Sequence, residues 1–154
     1  MRVFLALAGA AAVAAAMGTA ASGLRIPSAC PASPVDGSVV HAGVITGGID
    51  PYTDVVDGRF RLHVGDVRDV ATQTYQKILW SVPANRRIGG QLVLRGRTLY
   101  GRVRTFVQKF QYAWTEDQTR RYFPSTVVPP SAGCWRFTLT TGHLRNALVA
   151  RVDG

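Results

Sequence analysis

The chain has 154 residues, 47% of them hydrophobic and 18% charged, with 18 Lys+Arg against 9 Asp+Glu and a formal net charge of +9. That length fits one ordinary domain, and the apolar content excludes a disordered chain. Two cysteines are too few for a disulfide-dense scaffold and fall short of a four-ligand zinc site.

Residues 1–20 have the order of a cleavable signal peptide. Arg2 precedes the apolar run Val3 to Met17, and Gly18 and Ala20 are the small residues a cut after Ala20 requires. The run is short and Ala-rich for a membrane anchor, which needs about 20 strongly apolar residues, and no later run approaches that length. The mature chain is therefore expected to be secreted or extracellular, with association to the cell envelope as one option. Residues 21–37, rich in Pro, Ser and Gly, read as an extended arm, and residues 38–154 as the folded domain.

Export gives the cysteines a meaning. Outside the cytosol an even pair is expected to be bridged, so Cys30 and Cys134 are read as a disulfide. The alternative is lipid modification of Cys30. Ser28 and Ala29 suit such a site, whereas Pro27 and Arg25 do not.

The domain alternates short β-compatible runs with Gly, Pro and Asp punctuation. Ser38–Thr46 is the first strand candidate, followed by Arg59–Val64, where Phe60, Leu62 and Val64 alternate with Arg59, Arg61 and His63. Tyr75–Val82 stops at Pro83, and Gln91–Tyr100 contains Gly96, read as a bulge or turn. Val103–Trp114 is a long alternating run, Tyr122–Val128 a short one, and Cys134–Thr140 and Leu144–Val152 flank the turn Thr141-Gly142-His143. Val67–Gln76 alone has helical spacing, with a loop or single turn as the other reading. The sum is an all-β protein, an antiparallel β-sandwich, with a small closed barrel as the structural alternative. Parallel α/β folds are disfavoured because the crossover helices are missing.

Motifs for chemistry are absent: no phosphate-binding glycine loop and no nucleophile elbow occur. His41, His63 and His143 stand apart in sequence, so no metal site and no cofactor is expected. Asp50, Asp54, Asp57, Asp66 and Asp69 lie in loops, where Asp commonly caps turns; their spacing matches no calcium loop. Glu116 beside Asp117 reads as a solvated turn. The expectation is an exported non-enzymatic β-sandwich module with a binding or structural role at the cell envelope, and its rival is a secreted hydrolase assembled from such loop Asp and His residues.

The long run carries two readings. Phe106 and Phe110 share one face with Arg102, Arg104, Tyr112 and Trp114. Large aromatics usually fill cores, which favours Phe106 and Phe110 inside with Tyr112 and Trp114 at the rim. If that face met water, Arg102, Arg104, Tyr112 and Trp114 would form a stacking and charge platform for an anionic ligand or glycan. The basic residues gather after residue 76, where 13 of the 18 lie. Nucleic acid is not an expected partner outside the cell; an anionic cell-envelope polymer, a glycan or lipid headgroups are.

Several stretches add a resemblance. Cys30-Pro31, Gln76-Lys77-Ile78-Leu79-Trp80, Gly90 to Arg97, Tyr122-Phe123-Pro124-Ser125 and Gly133-Cys134-Trp135-Arg136 resemble small secreted or envelope proteins of high-GC Gram-positive bacteria. Those proteins carry an N-terminal Cys-Pro and a late Gly-Cys-Trp-Arg in an immunoglobulin-like β-domain of uncharacterised function. The resemblance implies a sandwich of immunoglobulin-like character, a Cys30–Cys134 bridge, and Trp80 and Trp135 in the core with Trp135 near the bridge.

Overall fold

The computed structural model describes residues 30–49, 54–64, 77–112 and 119–154. The signal segment, the helical suspicion at Val67–Gln76, Trp114 and the Glu116–Asp117 pair lie outside the described residues. Among those described, all regular structure is β.

Eleven strands run in chain order: β1 (Val35–Asp36), β2 (Val39–Ala42), β3 (Ile45–Gly48), β4 (Val55–Val56), β5 (Arg59–His63), β6 (Lys77–Pro83), β7 (Gln91–Thr98), β8 (Thr105–Gln111), β9 (Arg120–Thr126), β10 (Gly133–Thr141) and β11 (Leu144–Asp153). They form a five-stranded sheet, β1-β2-β3-β6-β9, and a six-stranded sheet, β4-β5-β11-β10-β7-β8. The two sheets pack face to face as a β-sandwich around one hydrophobic core.

Period-2 alternation builds that core. Along β10, Trp135, Phe137 and Leu139 are buried while Arg136 between them is exposed. β7 adds Leu92 and Leu94, β5 adds Phe60 and Leu62, and β11 adds Leu148, Ala150 and Val152. The opposite sheet answers with Val40, Ile45, Ile78, Trp80, Val82 and Phe123. Burying each of the large aromatics stabilises the fold by about 2–3 kcal/mol. Trp80 and Trp135 are core residues, as expected.

Four features depart from the strand pattern read in the sequence. The first candidate is a hairpin and not one strand, because Gly43 takes a φ of 59° and turns β2 back onto β3. Gly96 is no bulge: it pairs in register with Phe106 on one side and Phe137 on the other. The sheet is not wholly antiparallel, since β11 and β5 run parallel through Arg151↔Arg61 and Val152↔Leu62. The arm, in turn, is part of the sandwich from Ser33 onward. Ser33 N–H donates to the Val149 carbonyl at 2.8 Å, and Val149 N–H donates to Ser33 Oγ at 2.9 Å.

The disulfide joins Cys30 to Cys134 across 104 residues. Cys134 alternates with the inward Trp135, so the bridge lies on the outer side of the six-stranded sheet and fastens the arm to its own sheet. Immunoglobulin domains instead span both sheets with theirs. No helix among the described residues is long and apolar enough to cross a membrane.

Candidate functional site

The same alternation that sends Leu92, Leu94, Trp135 and Phe137 inward sends arginines outward. Arg95 and Arg97 of β7, Arg136 of β10 and Arg145 of β11 are all exposed. Their places are fixed by register: Arg97 lies directly opposite Arg136, Arg95 opposite Thr138, and Thr138 opposite Ala147. Opposed side chains start about 5 Å apart, and Arg95 and Arg97 are about 7 Å apart along the strand.

Small side chains between long ones leave a hollow. Thr138 and Ala147 floor a groove of about 830 Å3 that the four arginines border. Its charge is uncompensated. Residues 77–112 contain no Asp or Glu, and among the described residues no carboxylate pairs with any of the four. Asp153, at the far end of β11, shows the opposite case. It holds Arg61 at 2.6 Å and Arg151 at 2.7 Å, one carboxylate against two guanidiniums.

One arginine on the other sheet is occupied by protein oxygens. Arg120 of β9 donates from Nε to Ser81 Oγ at 2.9 Å and from Nη2 to Thr46 Oγ1 at 2.8 Å. The two hydroxyls are themselves 2.8 Å apart. This half-buried cluster ties β3, β6 and β9 together, with its guanidinium facing protein oxygens. It is a structural clamp. Among the described residues the groove arginines have no such partners, and all four are exposed.

The residues singled out in the sequence fall in several places. Arg102 and Arg104 are exposed in the connection from β7 to β8, beside the Arg97↔Thr105 pair. Tyr112 lies past the other end of β8, half exposed, its ring edge-on to Phe123 at 6.1 Å. With about 3.3 Å per residue, Arg104 and Tyr112 are separated by about 26 Å along the strand. Trp114 lies outside the described residues. Phe110 is buried and Phe106 sits edge-on to Trp135 at 5.3 Å, so both turn inward, as the core reading expected.

The histidines stay apart, on β2, on β5 and in the β10–β11 turn. The described residues hold no group of three His, Cys, Asp or Glu able to bind a metal ion. Asp54 is fully buried and Asp57 adopts a positive φ of 52° in a turn; Asp50, Asp66 and Asp69 lie outside the described residues.

Sequence reading missed the groove arginines. The signal was there in part: in Leu92-Val93-Leu94-Arg95-Gly96-Arg97 and Trp135-Arg136-Phe137 the arginines sit at the polar phase of the alternation. What places them together is register between strands about 40 residues apart. No known family model and no curated protein matches this sequence.

Proposed function

We propose that this protein is an exported, non-enzymatic β-sandwich module that binds an anionic polymer or glycan at the cell envelope. The observation that supports the reading is the Arg97–Arg136 pair: two exposed arginines at directly opposed register positions, bordering a groove and without a carboxylate partner among the described residues. Like charges held opposite each other oppose folding, and a polyanion laid across them relieves that repulsion. Arginine suits the task because its planar fork grips carboxylate, sulfate or phosphate through two hydrogen bonds. Arg102 and Arg104 extend the positive strip beyond the end of β7. Immunoglobulin-like character, supported by the resemblance, and export, supported by the N-terminal segment and the disulfide, belong to the same proposal.

The test is retention on immobilised anionic polysaccharide and on polyphosphate across a salt gradient. Binding is expected at about 20 mM salt and release by about 0.5 M, where the screening length shrinks to a few ångströms. Arg97→Gln combined with Arg136→Gln is expected to weaken binding at least tenfold. No retention at low salt, or retention unchanged in the double variant, would refute the reading. N-terminal sequencing of the protein collected outside the cytoplasm is expected to begin at Ala21.

A further inference from the structure

The connection from β7 to β8 presents three large apolar side chains to water within five residues. Leu99 is 38% exposed, Tyr100 47% and Val103 58%. Between and beside them stand Gly101, Arg102 and Arg104, all exposed. Apolar side chains at a loop tip cost solubility and contribute nothing to the core, so their presence points to a partner.

The tip is rigidly held. Thr98 is its hub: Thr98 N–H donates to the Arg104 carbonyl at 3.0 Å, Thr98 Oγ1 donates to the Arg102 carbonyl at 3.1 Å, and Arg104 N–H donates to Thr98 Oγ1 at 3.0 Å. Leu99 N–H donates to the carbonyl of Cys134 at 2.8 Å, so the root of the loop is fixed to the strand that carries the disulfide. Gly101, at a φ of 71°, makes the reversal that a side chain would strain.

We infer that this hairpin tip docks on an anionic lipid surface, with Leu99, Tyr100 and Val103 entering the interface and Arg102 and Arg104 at headgroup level. The chemistry matches each part. Tyr is favoured at the membrane–water boundary because its ring is apolar and its hydroxyl wet. Arginine keeps its stem along apolar surface while its head meets phosphate. The charge is of one sign: Arg97, Arg102 and Arg104 flank the tip, in a stretch without acidic residues from 77 to 112. Such a tip inserts shallowly and reversibly, as apolar area plus electrostatic attraction dictates. The tip adjoins the polymer groove and shares Arg97, Arg102 and Arg104 with its positive strip, so the apolar residues Leu99, Tyr100 and Val103, which the groove does not use, separate the two readings.

The experiment is flotation of the disulfide-bonded protein, lacking residues 1–20, with vesicles of phosphatidylcholine alone or with 30% phosphatidylglycerol, at about 0.1 M salt. The expected result is binding to the anionic vesicles and at least tenfold less to the neutral ones. Tyr100→Ser with Val103→Ser, which removes apolar surface and leaves the charge unchanged, is expected to lower anionic-vesicle binding at least tenfold while polymer retention stays unchanged. Tyr100→Trp provides a readout that does not rely on loss: its emission shifts to the blue on anionic vesicles, beyond any shift in the parent protein. Absence of wild-type flotation, equal binding by the double Ser variant, or no added blue shift would each overturn the inference. So would a concentration-dependent dimer that Val103→Asp abolishes, since the tip would then cover a second copy.

Discussion

Arg97 of β7 and Arg136 of β10 are directly opposed in the register of neighbouring strands of the six-stranded sheet, and both are exposed. A like-charged pair directly opposed costs about 0.2–1 kcal/mol. Arg136→Gln is therefore expected to raise the unfolding free energy by about 0.5 kcal/mol in low-salt urea titrations. The gain should shrink at high salt, where the pair is screened. The same variant should bind polyanion less well, so stability and binding move in opposite directions. A low-salt loss of stability in Arg136→Gln would show that the pair is not repulsive in the fold.

Two inward glycines exist to admit aromatic rings. Gly47 pairs with Trp80, and a Cβ at residue 47 would lie 2.7 Å from the Trp80 ring. Gly96 pairs with Phe106, whose ring covers the space a side chain would occupy. Overpacking a filled core costs about 1–3 kcal/mol, so Gly47→Ala and Gly96→Ala should each destabilise by that amount in denaturant melts. Gly90→Ala, with nothing within 4 Å of the added methyl, is the control and should stay within about 0.5 kcal/mol of the parent. Three equal outcomes would discard the ring-space explanation.

These glycines also mark where the sequence was legible and where it was not. Local pattern gave β10 and β11 as strands around their turn, and in β5 the alternation also gave the buried face, Phe60 and Leu62. Gly43 hid a hairpin inside an unbroken run of strand formers, since its positive φ leaves no mark on hydrophobicity. Gly96 looked like a bulge because glycine usually weakens a strand; the Phe106 ring that replaces its side chain comes from the next strand. The parallel β5–β11 pair joins segments about 90 residues apart in the chain, beyond any local pattern. The groove follows the same logic, as each arginine was visible and their meeting required the register of three strands.

The edge strand β8 hydrogen-bonds to the end of the other sheet through the Gln108 side chain. Gln108 Nε2 donates to the Thr126 carbonyl at 3.2 Å, and Gln108 Oε1 accepts from Val128 N–H at 3.0 Å. The amide thus supplies a donor and an acceptor where the two sheets meet. Gln108→Leu keeps the bulk and strands both backbone groups, at an expected cost of about 1–3 kcal/mol. Amide exchange at Val128 should accelerate more than at Phe137 in the core. Uniform exchange across both sites would indicate that Gln108 does not close this edge.

The disulfide is the strongest single constraint to remove. Cys30 and Cys134 are 104 residues apart, and closing a loop near 100 residues restricts the unfolded chain by about 4.7 kcal/mol in the chain-entropy account. Replacing both cysteines with serine should therefore lower stability by about 4–5 kcal/mol, read from urea midpoints at unchanged m. The arm does not depend on the bridge alone. Arg59 Nη1 donates to the Ala32 carbonyl at 3.0 Å, and Ser33 exchanges hydrogen bonds with Val149. Those contacts should keep the arm in place in the folded variant, so the loss should appear as a lower midpoint with native-state exchange at Val149 little changed. Early exchange at Val149 in the folded variant would mean that the bridge positions the arm as well as restricting the unfolded chain. A loss below about 1 kcal/mol would reject the entropic account for this loop.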